Sequence, residues 1–320
     1  MTIGGQFTLF GVLAAVLIAG LGFAIVLSRT ESLERRKALA AQSELMQTPF
    51  GTVEYAAMGE GPPVLVIHGA GGGFDQGLLL ADAVGGTGRR WVAVSRFGYL
   101  RSPLPPDAST AAQADALAAF LSAYTPGPVD VLAMSGGVPP ALQLAARHPG
   151  QVRAMVLLSS APFTPFSGEV EDRPVPASVY TAIAGSDAGF WTLRRIAPET
   201  LKSAFDARPD LLTTEEDTTF VQRLIDGFQP ASGRLDGLRN EIAAVDPGAV
   251  YELEAIRAPV LVIHAADDRL NPVAISETLA ARIPGAEFIR YETGGHLLLG
   301  RHEVLRGIVP AFFGAQSSAP

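Results

Sequence analysis

The chain holds no cysteine among its 320 residues. Disulfides, thiol nucleophiles and cysteine-ligated metals are thereby excluded, and redox chemistry leaves the compartment unassigned. A basic excess is also missing. Lys and Arg number 24 against 32 Asp and Glu, a net charge of -8. No positive field is present to draw nucleic acid as a partner. Histidines are scarce, five in all, and no two stand at His-x-x-x-His spacing. The phosphate-binding signatures are incomplete. A dinucleotide fingerprint starting at Gly69 and Gly71 needs a third glycine where Phe74 stands, and no Gly-Lys-Ser/Thr follows. Neither a cofactor nor a metal is expected.

What is present begins with an apolar run. Phe7 to Leu27 is 21 residues without a charge. At about 1.5 Å per residue it just crosses a hydrocarbon core of about 30 Å. The rival reading is a cleaved signal peptide, with Ala38-Leu-Ala40 as the cut. The run is longer than the usual ~7–15 residues of such a peptide, and no Lys or Arg precedes it. These features favour an uncleaved single-pass anchor over 7–27, followed by a helical or loose stalk over 28–48. Arg29, Arg35, Arg36 and Lys37 follow the span, so the positive-inside rule places the following domain in the cytoplasm. Glu31 and Glu34 dilute that charge bias, and an extracytoplasmic placement stays open.

From residue 49 to 316 the pattern is that of one large α/β domain. Thr52 to Ala57 alternates like an antiparallel strand. Val64–Ile67, Trp91–Val94, Val129–Leu132, Met155–Leu158 and Val260–Ile263 are continuous apolar runs, as strands buried on both faces require. Helical stretches lie between them, among them Thr110–Tyr124, with Thr110 and Gln113 as its capping box, and Ala141–Arg147. This alternation predicts a mostly parallel sheet covered by helices on both faces. From about 162 to 257 it lapses into proline clusters and helical stretches, read as a helical cap inserted between two strands.

Ser135 follows the run Val129–Met134 and opens a helix, with Ala133 and Gly137 two positions either side. Small residues there suit a nucleophile elbow, a strained strand-to-helix turn that holds a serine hydroxyl clear of the sheet. A serine needs a base, and the base needs an acid to orient it. Asp267 and Asp268 follow the run ending at Ile263, and Gly294-Gly-His296 follows the strand-like Glu287–Tyr291. His68-Gly-Ala-Gly-Gly-Gly73 comes directly after Val64–Ile67, where glycines let backbone N–H groups face an oxyanion. Gly136 N–H, at a helix N-terminus, is the second candidate donor. The other histidines read as structural: His68 under the glycine loop, His148 at a helix end, His264 packed, His302 solvated. Glu215, Glu216 and Asp217 read as a solvated helix start.

In these segments the chain resembles the α/β-hydrolase superfamily, in the branch with a helical cap. The resemblance runs from about residue 50 to 315 and rests on five segments. They are His68-Gly69, Ser95–Ser102, the Ser135 turn, His264–Pro272 and Gly294–Gly300. It implies Ser135 as nucleophile, His296 as base and Asp268 as acid, since the family's acid usually stands four residues before a proline, here Pro272. It implies Ala70 N–H and Gly136 N–H as the oxyanion donors. The expected activity is hydrolysis of an ester or related acyl bond of a small or lipophilic substrate. Aminopeptidase or amidase activity and carbon–carbon bond hydrolysis remain open, though Leu297 stands where ring-fission hydrolases often carry Trp. A catalytically silent binding module is the remaining alternative.

Overall fold

A computed structural model describes residues 3–162, 185–243 and 250–317. Within its helices the side chains of 3–19, 21, 242, 243 and 317 fall outside the description. Among the described residues, eight strands form one sheet in the order β1-β2-β4-β3-β5-β6-β7-β8. They are β1 (Glu44–Thr48), β2 (Gly51–Met58), β3 (Pro63–Ile67), β4 (Arg90–Val94), β5 (Val129–Met134), β6 (Val152–Leu158), β7 (Val260–Ala265) and β8 (Glu287–Tyr291). β1 and β2 are antiparallel to their neighbours, and every pairing from β4 to β8 is parallel.

The apolar runs divide their side chains between two cores, as a period of two demands. Val64, Val66, Leu132, Val156 and Ile263 face one core, with α2 (Phe74–Val84) and α10 (His302–Ser317) against it. Leu65, Ile67, Val131, Leu157 and Val262 face the other, under α3 (Thr110–Tyr124), α4 (Val138–Arg147) and α9 (Val273–Arg282). All six residues of β5 are buried, so the strand that ends at Ser135 lies at the centre of the fold.

Between β6 and β7 the described residues form α5 (Asp187–Ile196), α6 (Pro198–Ala204), α7 (Glu215–Gly227) and α8 (Leu235–Ala243). Phe190, Phe205, Phe220 and Phe228 carry the first core into this helical excursion. Its expected bounds of 162 and 257 flank it, but residues 163–184 and 244–249 lie outside the description.

Several expectations need correction. Of the two forms expected for the stalk at 28–48, helical or loose, residues 28–42 take the helical one, and 44–48 form a strand instead. Helix α1 (Ile3–Gln42) runs through most of it, and β1 joins the sheet, so the folded domain starts before residue 49. α1 is also docked: Glu31 pairs with Arg194 and Arg195, and Arg35 with Asp75. The expected span at 7–27 falls within α1, mostly on residues whose side chains are outside the description. Among the described residues, no helix is long and apolar enough to cross a membrane. The cap of α3 is Ser109, whose hydroxyl accepts from Ala112 N–H, and not Thr110. His302 is buried, bonded to the Leu297 carbonyl at 2.9 Å and edge-on to Phe220. Asp217 is buried too, accepting from Gly300 N–H at 2.7 Å.

Candidate active site

Ser135 sits between β5 and α4 with φ of 50°. That left-handed backbone is costly for a residue with a Cβ and recurs at functional turns. The neighbours show why the flanking residues are small. A Cβ on Gly137 would come within 2.7 Å of the His68 carbonyl oxygen, and one on Gly69 within 3.0 Å of Ser135 Cβ. Side chains at either position would push the glycine loop away from the serine. Pro139 and Pro140 fall in the first turn of α4, where their missing N–H groups have no intrahelical partner to lose.

The acid and base positions meet. His296 Nδ1 lies 2.9 Å from Asp268 Oδ2. Because a carboxylate accepts, Nδ1 carries the proton and Nε2 keeps a lone pair. Asp268 is fully buried and held on every side. Its Oδ1 accepts from Leu270 N–H at 2.8 Å and Asn271 N–H at 3.0 Å, and its Oδ2 also meets His264 Nε2 at 3.0 Å. Burial alone raises its carboxyl, but the electrostatic pull of the His296 ring and the bonds from His264 and His296 overcome this. They hold it well below the usual carboxylate range. Asp267 is not a free neighbour. It accepts from Gly295 N–H at 2.9 Å and pairs with Arg208.

Ser135 reaches this cluster through Asn271, whose Nδ2 stands 3.5 Å from Ser135 Oγ and 3.0 Å from the Ser159 carbonyl. Asn271 lies inside the expected acid turn but was not singled out from sequence. Neither was His264 as a partner of Asp268. His264 Nδ1 in turn lies 2.6 Å from the Ser276 hydroxyl oxygen.

The glycine loop is braced from below. Arg96 N–H donates to His68 Nε2 at 3.1 Å, so the proton sits on Nδ1 and donates to the Gly69 carbonyl at 2.7 Å. Burial, then the nearby Arg96 charge, pushes His68 well below the usual histidine value, which keeps it neutral. Ala70 and Gly136 are adjacent: a Cβ on Gly136 would stand 3.3 Å from Ala70 N. The same Cβ would strike Glu241 Oε2. Glu241, on α8, is held there by Arg96 and the Tyr99 hydroxyl. Arg234, fully buried, ties the start of α8 to the loop through the Gly72 carbonyl and to Asp75 at 2.9 Å. Glu241 and Arg234 carry no local sequence signal, because each acts on a segment more than a hundred residues away.

The alpha/beta hydrolase fold family model matches residues 62–302. The chain belongs to that family, and it is a hydrolase. A pimeloyl-[acyl-carrier protein] methyl ester esterase of Aromatoleum aromaticum is 31% identical over 210 residues, covering 62% of this chain and 80% of that protein. A 2-hydroxymuconate semialdehyde hydrolase of Pseudomonas putida is 27% identical over 252 residues, covering 74% and 82%. Among solved structures, an alpha/beta hydrolase fold protein from Nakamurella multipartita superposes with a TM-score of 0.71 at 28% identity. It covers 84% of this chain and 98% of that one.

Proposed function

We propose that the protein is a serine hydrolase that cleaves a carboxylic ester, or a related acyl bond, of a small or lipophilic substrate. The observation that carries this reading is the bond from His296 Nδ1 to the buried, ionised Asp268, which leaves Nε2 free of its proton. An imidazole in that tautomer takes a proton from a hydroxyl, and the left-handed Ser135 presents one. Ser135 Oγ attacks the carbonyl carbon while His296 removes its proton. Ala70 N–H and Gly136 N–H hold the oxyanion, a contribution of about 10²–10³ in rate per donor. His296 returns the proton to the leaving alcohol, then activates water to release the acyl group from Ser135.

The carboxylate of Glu241 approaches Gly136, one of these two donors. A negative charge this close opposes the developing one. Ester specificity is supported by the esterase of Aromatoleum aromaticum. Carbon–carbon bond hydrolysis is the second reading, supported by the Pseudomonas putida relative. The uncharged run Phe7–Leu27 supports a membrane anchor with the hydrolase domain on the cytoplasmic side, a placement that protease protection in intact cells tests.

The deciding experiment is steady-state hydrolysis of p-nitrophenyl esters graded by acyl length. Wild type turns over, and Ser135→Ala loses several powers of ten in rate. Inertness toward every ester, with cleavage of a ring-fission dienoate, would replace the first reading with the second. A folded wild type inert to all of them favours the silent binding module.

A further inference from the structure

Asp206 follows α6, more than sixty residues before the acid turn and ninety before His296, yet its carboxylate touches both. It is 1% exposed. Its Oδ2 accepts from Arg269 N–H at 3.1 Å and from His296 N–H at 3.1 Å. Its Oδ1 accepts from Arg208 Nη1 at 2.9 Å. One oxygen therefore clips the turn that carries Asp268 to the backbone of the residue that Asp268 orients. The approach is close: a Cβ on Gly295 would lie 2.9 Å from Asp206 Oδ2 and 3.2 Å from its carbonyl oxygen. Gly295 itself has φ of 58°, and Asp206 has φ of 56°. For Asp206, which carries a Cβ, that left-handed backbone is unfavourable, whereas Gly295 adopts it freely.

Burying a carboxylate here is expensive. Desolvation pushes the Asp206 carboxyl up, against the Arg269 N–H, the Arg208 charge and the His296 N–H; nearby Asp268 adds to the rise. An apolar side chain would avoid that cost but would leave two buried N–H groups without an acceptor. Arg208 extends the same clip, because it also reaches the Asp267 carbonyl at 3.0 Å, and Asp267 holds Gly295 N–H.

We propose that Asp206 is a positioning residue that aligns His296 with Asp268, so that the helical excursion between β6 and β7 supplies part of the geometry of the base. It touches no reacting atom in this role. The proposal rests on the reading of His296 as the base. A base displaced by about 1 Å loses on the order of 10²-fold in rate.

The test compares Asp206→Ala, Asp206→Asn and His296→Ala in the full chain, with thermal unfolding to verify folding and a p-nitrophenyl ester as substrate. Asp206→Ala is expected to lower kcat about 10–100-fold with KM within about threefold of wild type. Asp206→Asn keeps an oxygen for the two N–H groups and recovers kcat to within several-fold. A folded Asp206→Ala with wild-type kcat overturns the proposal, as does an Asp206→Asn no better than Asp206→Ala. Should Asp206→Ala not fold, Asp206→Glu takes its place. The added methylene pushes on His296, and wild-type kcat there is equally fatal. Turnover surviving in His296→Ala overturns the base assignment and this proposal together. Its loss there, beside wild-type kcat in Asp206→Ala, overturns the role of Asp206 alone.

Discussion

Replacing Asp268 by Asn tests the site with almost no change of shape. The two oxygens of Asp268 have separate duties: Oδ1 takes Leu270 N–H and Asn271 N–H, while Oδ2 faces His296 Nδ1 and His264 Nε2. An asparagine keeps its one oxygen on the backbone pair and turns its NH2 toward both histidines. His296 must then move its proton to Nε2, the atom that has to receive the proton of Ser135. Rotating the amide restores the tautomer but confronts two buried backbone donors with a third, at about 1–3 kcal/mol for the unsatisfied groups. The unrotated amide avoids that cost, so the base is spoiled while the fold survives. In serine-protease triads the same exchange costs roughly 10⁴-fold in kcat. At 1.36 kcal/mol per decade, that is about 5.4 kcal/mol of lost transition-state stabilisation. The assay is kcat on a p-nitrophenyl ester, with a thermal melt to confirm folding. A folded Asp268→Asn within tenfold of wild type would refute the tautomer argument.

Three further outcomes follow from the same contacts. Glu241→Gln removes the charge beside Gly136 and should raise the rate of fluorophosphonate labelling several-fold; slower labelling would show that Glu241 assists the site rather than obstructs it. Gly137→Ala drives a Cβ into the Ile67 and His68 carbonyls and should cost about 1–3 kcal/mol by urea unfolding, whereas an unchanged midpoint would contradict the packing. His68 and His302 both have folded pKa values below the unfolded value of about 6.5, each chiefly through burial. Between those values the unfolded chain binds more protons, so stability is full above about pH 6.5 and falls as the pH drops toward the folded values. His68→Gln should flatten that acid slope in urea unfolding, and an unchanged slope would show that His68 does not drive it.

The sequence displayed the parallel strands because burial on both faces leaves no room for polar residues, and Val64–Ile67 and Val260–Ile263 have none. Ser135 was legible because a serine between Ala133 and Gly137 at a strand end has a steric meaning, and Asp268 because of its distance to Pro272. β1 was not legible. It is a half-exposed edge strand with alternating exposure, and Glu44-Leu-Met-Gln-Thr48 has no apolar run to mark it. Asp206, Arg234 and Glu241 escaped notice for another reason. Each is an ordinary charged residue on a helix or in a turn beside one, and only the fold brings it against the turn it serves. His302 and Asp217 looked solvated because charge pattern alone does not reveal that Phe220 and Gly300 close over them.

The central claim is that Ser135 is the nucleophile, and covalent trapping tests it most directly. The protein is treated with a fluorophosphonate, digested, and the adduct located by peptide mass spectrometry. The account predicts one adduct on Ser135, lost in Ser135→Ala and strongly slowed in His296→Ala. An adduct on Ser159 or Ser160, or undiminished labelling of folded Ser135→Ala, would contradict it.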